Sequence, residues 1–481
     1  MQLESQENSY KSIFKGTAIF GGTQFFQILI NLVRGKFIAI LLGTVGMGIN
    51  SLFYSAVMPI QQLAVFGMNL PLVKEISSAE NEEKRLRIIS ICRRLFIWAA
   101  LIGAGICIFA SPLLSYSSFG DLNSLWGFIA LSLMVLFRVL GTSELTIMQG
   151  TRQIKRISIS TLIGSLVGLF ICVPLYYFFG YNAIVPSLII VSLSTYIFFF
   201  FSSDIRKTGV HVKLSDNKPF VKRILFTGGI FLIGSVVGSL CNYFINIFVR
   251  ESGSLADVGL YQAANSITNQ YSMLVFASLA ADYLPRLSKS VNDNGRMKGI
   301  INRQTSVILL LICPIACLVI ALAPWVIKVL LSTEFEVALP LIKLFAIAVI
   351  LKTACFPLGY ITFVKDNRRV FFILEVLTGN VLYVLLTCIF YHFYGLNGLG
   401  YGMIFLYAMM FIIYSIVNFK LYGIISSRRN LGYIIASCAI ILVVFWLSLN
   451  SSLSSTVTMG SLCVITLLLS LKQLINLLRR S

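Results

Sequence analysis

The sequence has little charge: Asp, Glu, Lys and Arg make up 12% of its 481 residues, against about 25% in a soluble domain. Acid is scarcer than base, 18 residues against 38, for a net charge of +20. With 57% of the residues hydrophobic, a water-soluble globule could not hide its apolar surface. Soluble enzymes, secreted disulfide scaffolds and disordered chains are therefore excluded. Histidine is nearly absent. His211 sits in a polar loop and His392 near the end of an apolar run, so no zinc motif or catalytic histidine constellation is expected. The ten cysteines show no C-x-x-C spacing and nearly all lie in apolar runs, which excludes a metal site or disulfide framework. The polar first ten residues lack the apolar core of a signal peptide, and none is expected. The basic balance does not point to nucleic acid, because the cations cluster in short loops between apolar runs.

Those runs dominate the chain. A spanning helix needs about 20 mostly apolar residues, and fourteen stretches qualify: 16–42, 47–71, 95–117, 125–148, 158–179, 183–202, 224–249, 259–282, 305–331, 339–363, 370–392, 397–418, 431–449 and 456–471. The first is longer than one bilayer crossing needs, and Gly35 is its expected bend point. With the N-terminus placed inside, 31 of the 38 Lys and Arg residues fall in inside segments and one, Arg250, outside. Arg34, Lys36, Arg138, Lys328, Lys343 and Lys352 lie within the runs. Missing a single helix would reverse every later loop, so this positive-inside split supports an even helix count with both termini cytoplasmic. The expected fold is an all-α polytopic membrane protein. Its connections leave no room for a separate soluble domain.

Weak self-similarity recurs at a spacing of about 210. Gly21-Gly22 returns as Gly228-Gly229, Gly48-Ile49-Asn50-Ser51-Leu52 as Gly259-Leu260-Tyr261-Gln262-Ala263, and Val65-Phe66 before Pro71 as Val275-Phe276 before Pro285. Each half then holds six helices of the same orientation, related by a pseudo-two-fold axis along the membrane normal, as in alternating-access transporters. The expected organisation is an N-terminal lobe over 1–210, a C-terminal lobe over 211–425, and a terminal helix pair over 426–481.

Polar stripes mark the apolar runs. Gln24, Gln27, Asn31 and Arg34 share one face of the first helix. Ser235, Ser239, Asn242 and Asn246 do so in the seventh, Gln262, Asn265 and Asn269 in the eighth, and Arg138, Thr142 and Gln149 in the fourth. Amides facing lipid would be unsatisfied, so the stripes face protein or a water-filled cavity. Interhelical hydrogen bonding is the plainer reading of the eighth-helix amides. A cation in mid-membrane costs about 2.5–3.5 kcal/mol on insertion scales and is usually functional or paired. Arg34 is accordingly read as cavity-lining, with Lys36, Arg138 and Lys352 as further candidates. Arg138 has the alternative of pairing with Glu144. Lys328 and Lys343, near the outer end, are expected to snorkel, and Asp282 and Glu375 to snorkel or pair structurally. A lumen with more cations than acids and many amides suits an anionic, hydroxyl-rich substrate, since Arg binds phosphate through charge-assisted hydrogen bonds.

Two sets of residues carry a family resemblance. The first set is Ile13-Phe14-Lys15-Gly16-Thr17-Ala18-Ile19-Phe20-Gly21-Gly22, Arg34-Gly35-Lys36-Phe37-Ile38-Ala39-Ile40-Leu41-Leu42-Gly43 and Gly46-Met47-Gly48. The second is Val258-Gly259-Leu260-Tyr261-Gln262-Ala263-Ala264 with Leu284-Pro285-Arg286-Leu287-Ser288. Together they resemble the bacterial O-antigen translocases, polysaccharide lipid flippases of the multidrug/oligosaccharidyl-lipid/polysaccharide (MOP) exporter superfamily. The resemblance covers essentially the whole chain, including the fourteen-helix count. It implies two MATE-like six-helix lobes forming a V around a central cavity, and a terminal helix pair. It also implies an undecaprenyl-pyrophosphate-linked oligosaccharide as substrate, moved across the inner membrane for surface polysaccharide or lipopolysaccharide assembly. No enzymatic step and no cofactor are implied; a proton or sodium gradient would drive transport. Membrane lipids and the polysaccharide polymerase machinery are the implied partners. Arg34 falls on the first-helix Arg of lipid II flippases when Ala39 and Gly43 are matched. The implied substrate-binding set is Arg34, Lys36, Arg138 and Lys352 for phosphate, with Gln24, Gln27, Asn31 and Asn242 for sugar. The acid that drug exporters use for cation coupling has no match in the first helix. The rivals are a lipid II flippase, a cation-coupled drug exporter on the same fold, and a membrane polysaccharide polymerase or ligase.

Overall fold

The computed structural model describes residues 2–203, 217–450 and 453–479; of these, the side chains of 2–21, 230–231, 277–278, 280–282, 453 and 478–479 are not described. His211 and the Asp282 side chain lie outside the described residues. All regular structure among them is helical. In hydrocarbon a helix satisfies its own backbone, which is why long apolar runs adopt it.

The first helix, α1 (Gln2–Val65), holds 64 residues, about 96 Å of helix against a hydrocarbon core of about 30 Å. It is broken at Gly43, where φ is 67° and ψ −165°. Left-handed backbone costs a Cβ-bearing residue about 1–2 kcal/mol, so glycine is the residue that can turn one crossing into the next. The bend expected at Gly35 is not there; Gly35 stays helical and the break comes eight residues later. A second reversal at Phe66 and Gly67 (φ 51° and 62°) leads into the short helix α2 (Asn69–Ser77), which buries Pro71, Leu72 and Ile76.

Five helices follow: α3 (Glu82–Phe119), α4 (Leu125–Gly150), α5 (Ile154–Phe179), α6 (Ile184–Ser202) and α7 (Lys218–Ser252). Asn81 caps α3, its side chain accepting the Lys84 amide at 2.9 Å, and Gly120 (φ 83°) ends it. Next come α8 (Leu255–Ser288), α9 (Asn294–Leu330) and α10 (Leu339–Val364). Then α11 (Arg368–Phe371) runs through a π-helical turn, Phe372–Thr378, into α12 (Gly379–Tyr394). Finally α13 (Leu396–Tyr422), α14 (Arg428–Leu447) and α15 (Leu453–Arg479) close the chain.

Eleven helical stretches are long and apolar enough to cross a membrane. Two of them, Gly22–Val65 and Ile154–Ser202, contain breaks, at Gly43 and at the 3-10 turn Gly180–Ala183. With these divided, and with the more polar 34-residue α8, the chain has about fourteen membrane helices. This is an all-α polytopic membrane protein.

The chain forms two compact units, Met1–Ile247 and Phe248–Ser481, dividing within α7. The expected start of the second lobe at 211 lies ahead of that helix. In the first unit α3 packs on α4, and α6 on α4 and α5. Phe53, Phe119 and Phe128 form an aromatic knot there, with centroids 4.9–6.2 Å apart. In the second unit Ile308, Ile312, Ala316 and Ile320 of α9 pack against Leu344, Ile347 and Ile350 of α10. Ile441 and Val444 of α14 and Cys463 of α15 join that core, so the terminal helix pair is packed onto this unit. Large exposed apolar side chains such as Phe109, Trp126 and Phe170 have the surface chemistry of a protein solvated by lipid.

Candidate functional site

The first unit contains a cavity of about 530 Å³, within the roughly 300–1,000 Å³ range of small-molecule sites. Three walls build it. Gln24, Gln27, Asn31 and Arg34 line it from α1, because spacings of three and four stack side chains on one helical face. From α4 come Phe137, Arg138, Thr142 and Gln149. From α5 and α6 come Ser158, Thr161 and Ser165, and Ser192, Thr195 and Tyr196. Tyr54 and Gln61, on α1 beyond its break, complete it.

Among the described residues no Asp or Glu lines this cavity. Arg138 donates from Nη1 to the Tyr54 hydroxyl at 3.1 Å, with its guanidinium carbon 5.3 Å from that ring's centroid. Among the described residues neither Arg34 nor Arg138 has a carboxylate within ion-pair distance. Glu144 is not the partner of Arg138. It receives a two-pronged bond from Arg93 instead, Nε to Oε1 at 2.8 Å and Nη2 to Oε2 at 2.9 Å. At about 100° per residue, six positions put Arg138 and Glu144 on different faces of α4. Among the described residues no carboxylate thus compensates the cavity's positive charge.

The α5–α6 wall presents oxygens. Thr161 donates to the Ile157 carbonyl at 2.7 Å, Ser192 to that of Leu188 at 2.9 Å and Thr195 to that of Val191 at 2.8 Å. With their protons tied to their own helices, these hydroxyls keep lone pairs free to accept from a ligand. The buried Gln61 Oε1 and Ser158 Oγ have no hydrogen-bond partner among the described residues, an arrangement that costs stability unless a guest supplies one. The two guanidiniums have the donor chemistry of phosphate sites, and the amides and hydroxyls that of sites for hydroxyl-rich ligands.

Five of the eight sequence-derived binding residues meet here: Gln24, Gln27, Asn31, Arg34 and Arg138. The other three do not. Lys36, two residues past Arg34, points away from the cavity wall and does not line it. Lys352 lies in the second unit beside Asn265, Asn269 and Tyr407. Asn242 is half-buried on α7 and does not line the cavity. Its stripe neighbour Asn246 is buried and donates to Ser55 Oγ at 2.9 Å, a helix-to-helix tie. Lys343 does not snorkel: it is buried, and its ammonium donates to the Ser448 carbonyl at 2.9 Å. Lys328 is exposed. Glu375 accepts from the Tyr414 hydroxyl at 2.5 Å, a structural pairing. The eighth-helix amides Asn265 and Asn269 bond each other. Tyr54, Gln61 and the α5–α6 hydroxyls escaped the sequence reading. Ser158, Thr161 and Ser165, spaced three and four, carried a signal that could have found one wall of them.

The chain matches the polysaccharide biosynthesis protein family over residues 60–340, more than half its length, and belongs to that family. The lipid III flippase of Escherichia coli K12 is 21% identical over 385 residues, covering 78% of this chain and 90% of that protein. The structure is similar to the inward-facing conformation of a MATE-family multidrug resistance transporter of the MOP superfamily, with a TM-score of 0.69 and 16% identity, over 87% of this chain and 98% of the other. The lipid II flippase MurJ in its inward closed conformation also scores 0.69, at 13% identity, over 96% and 99% of the two chains. The fold is the one these two transporters share.

Proposed function

We propose that this protein is a flippase for an undecaprenyl-pyrophosphate-linked oligosaccharide, an O-antigen or related surface-polysaccharide repeat unit, working by alternating access in the bacterial inner membrane. The observation that carries this is the acid-free cavity, in which two unpaired guanidiniums stand beside amides and hydroxyl oxygens. Arg34 and Arg138 hold the pyrophosphate through charge-assisted hydrogen bonds. Gln24, Gln27, Asn31 and the α5–α6 hydroxyls contact the sugars, and the polyprenyl tail stays in lipid. No covalent step is involved. Family membership and the lipid III flippase relative support the substrate class. A cationic drug is disfavoured, because no carboxylate in the cavity could receive it. The distribution of Lys and Arg supports cytoplasmic termini. A proton or sodium gradient drives the cycle.

The test is a deletion strain in which lipid-linked glycans are extracted and their leaflet read with a periplasmic probe. Complete units trapped on the cytoplasmic side, with surface polymer lost, are expected. Complete units reaching the periplasm without polymer would point to a polymerase or ligase. An unchanged glycan pool would refute the reading. Loss of viability would indicate the cell-wall precursor instead.

A further inference from the structure

Lys352 is a cation on α10 among apolar helices, and no carboxylate among the described residues pairs with it. Its ammonium donates to Asn269 Oδ1 at 3.4 Å and lies 5.8 and 5.9 Å from the ring centroids of Phe276 and Tyr407. A Lys needs more than this: an ammonium in low dielectric without a counter-charge is costly. Lys352, Asn269 and Tyr407 border a cavity of about 20 Å³, lined also by Asn265 and Thr268. A single water needs about 10–15 Å³ by this measure, so the niche admits one guest of water size or slightly larger.

Its polar lining offers donors beside the apolar side chains of Phe345, Ala348, Val349 and Met403. Two ammonium protons remain after the bond to Asn269. The Asn265 side-chain oxygen accepts from Asn269, which leaves the Asn265 N–H groups free to donate. Tyr407 lines the niche, and its hydroxyl has no hydrogen-bond partner among the described residues. Thr268 spends its proton on the Ala264 carbonyl at 2.8 Å. A positive charge, amide and phenol donors and single-ion volume define a niche for a small anion. We infer that the Lys352–Asn265–Tyr407 niche of the second unit binds one halide-sized inorganic anion, chloride in the cell, as the counter-ion of Lys352. This inference does not depend on the proposed transport function.

The experiment uses the full chain in detergent. Thermal unfolding is followed as sodium gluconate is replaced by sodium chloride or bromide at constant ionic strength, and in a separate arm by inorganic pyrophosphate. An anion that binds only the folded state raises Tm saturably. A saturable rise with chloride and bromide is expected in the wild type and in Arg34→Gln/Arg138→Gln, with the rise lost in Lys352→Met. No halide effect in the wild type overturns the assignment, and so does an equal effect in Lys352→Met. A rise with pyrophosphate alone that disappears in Lys352→Met also overturns it, making the residue a phosphate ligand. Should Lys352→Met not accumulate, Asn265→Leu decides: it keeps the ammonium and is expected to lose the halide effect, whereas an unchanged effect overturns the inference.

Discussion

In the first unit Arg34 and Arg138 open onto a cavity of about 530 Å³; in the second, Lys352 borders one of about 20 Å³. Both units place cations between apolar helices without a neutralising acid, so charge alone does not separate them. The space beside the charge and the shape of the donor do. Planar guanidiniums beside a roomy wall of amides and hydroxyls suit a branched anion carrying sugars, while a point ammonium in a one-guest niche suits a single ion. Two other cations are tied down by protein groups alone. Arg93 is paired with Glu144, and Lys343 is tied to the Ser448 carbonyl.

The comparison can be broken by moving charge on one side only. Charged hydrogen bonds contribute about 1.5–3 kcal/mol each, so replacing both cavity arginines should cost two to four orders of magnitude in translocation, by about tenfold per 1.4 kcal/mol. The Arg34→Glu/Arg138→Glu variant is therefore expected to abolish surface polymer at normal membrane abundance, while Lys352→Met keeps most of it; polymer yield and immunoblotting of membranes read both. Removing a used pair should act on stability instead. Arg93→Met strands the buried Glu144 and is expected to cost about 3–5 kcal/mol, with Tm recovering when Glu144→Gln is added. The smallest effect belongs to the hydroxyl wall. Thr161→Val and Thr195→Val each remove one acceptor worth about 0.5–1.5 kcal/mol; a two- to tenfold loss of glycan export is expected for each, with Tm nearly unchanged.

Much of this architecture is written in local pattern. The fourteen helices follow from run length, and the α1 face of Gln24, Gln27, Asn31 and Arg34 from spacing, because both are properties of one helix. What periodicity does not carry is the neighbour across the gap. Glu144 sits in the same run as Arg138, yet its partner Arg93 comes from α3. Asn242 and Asn246 share a stripe, but only the packing of α7 against Ser51 and Ser55 makes Asn246 the buried one. The hydroxyls of α5 and α6 were hidden because Ser and Thr satisfy themselves on their own helix and read as filler in an apolar run. The α1 break at Gly43 rather than Gly35 follows from backbone conformation, which the two glycines do not disclose by identity.

The most direct measurement is native mass spectrometry of the purified full chain with an undecaprenyl-pyrophosphate-linked glycan, and with an uncharged polyprenol as control. The account predicts that the wild type and Lys352→Met retain the pyrophosphate lipid in preference to the polyprenol and that Arg34→Gln/Arg138→Gln loses the preference. Equal retention by the double variant would contradict it.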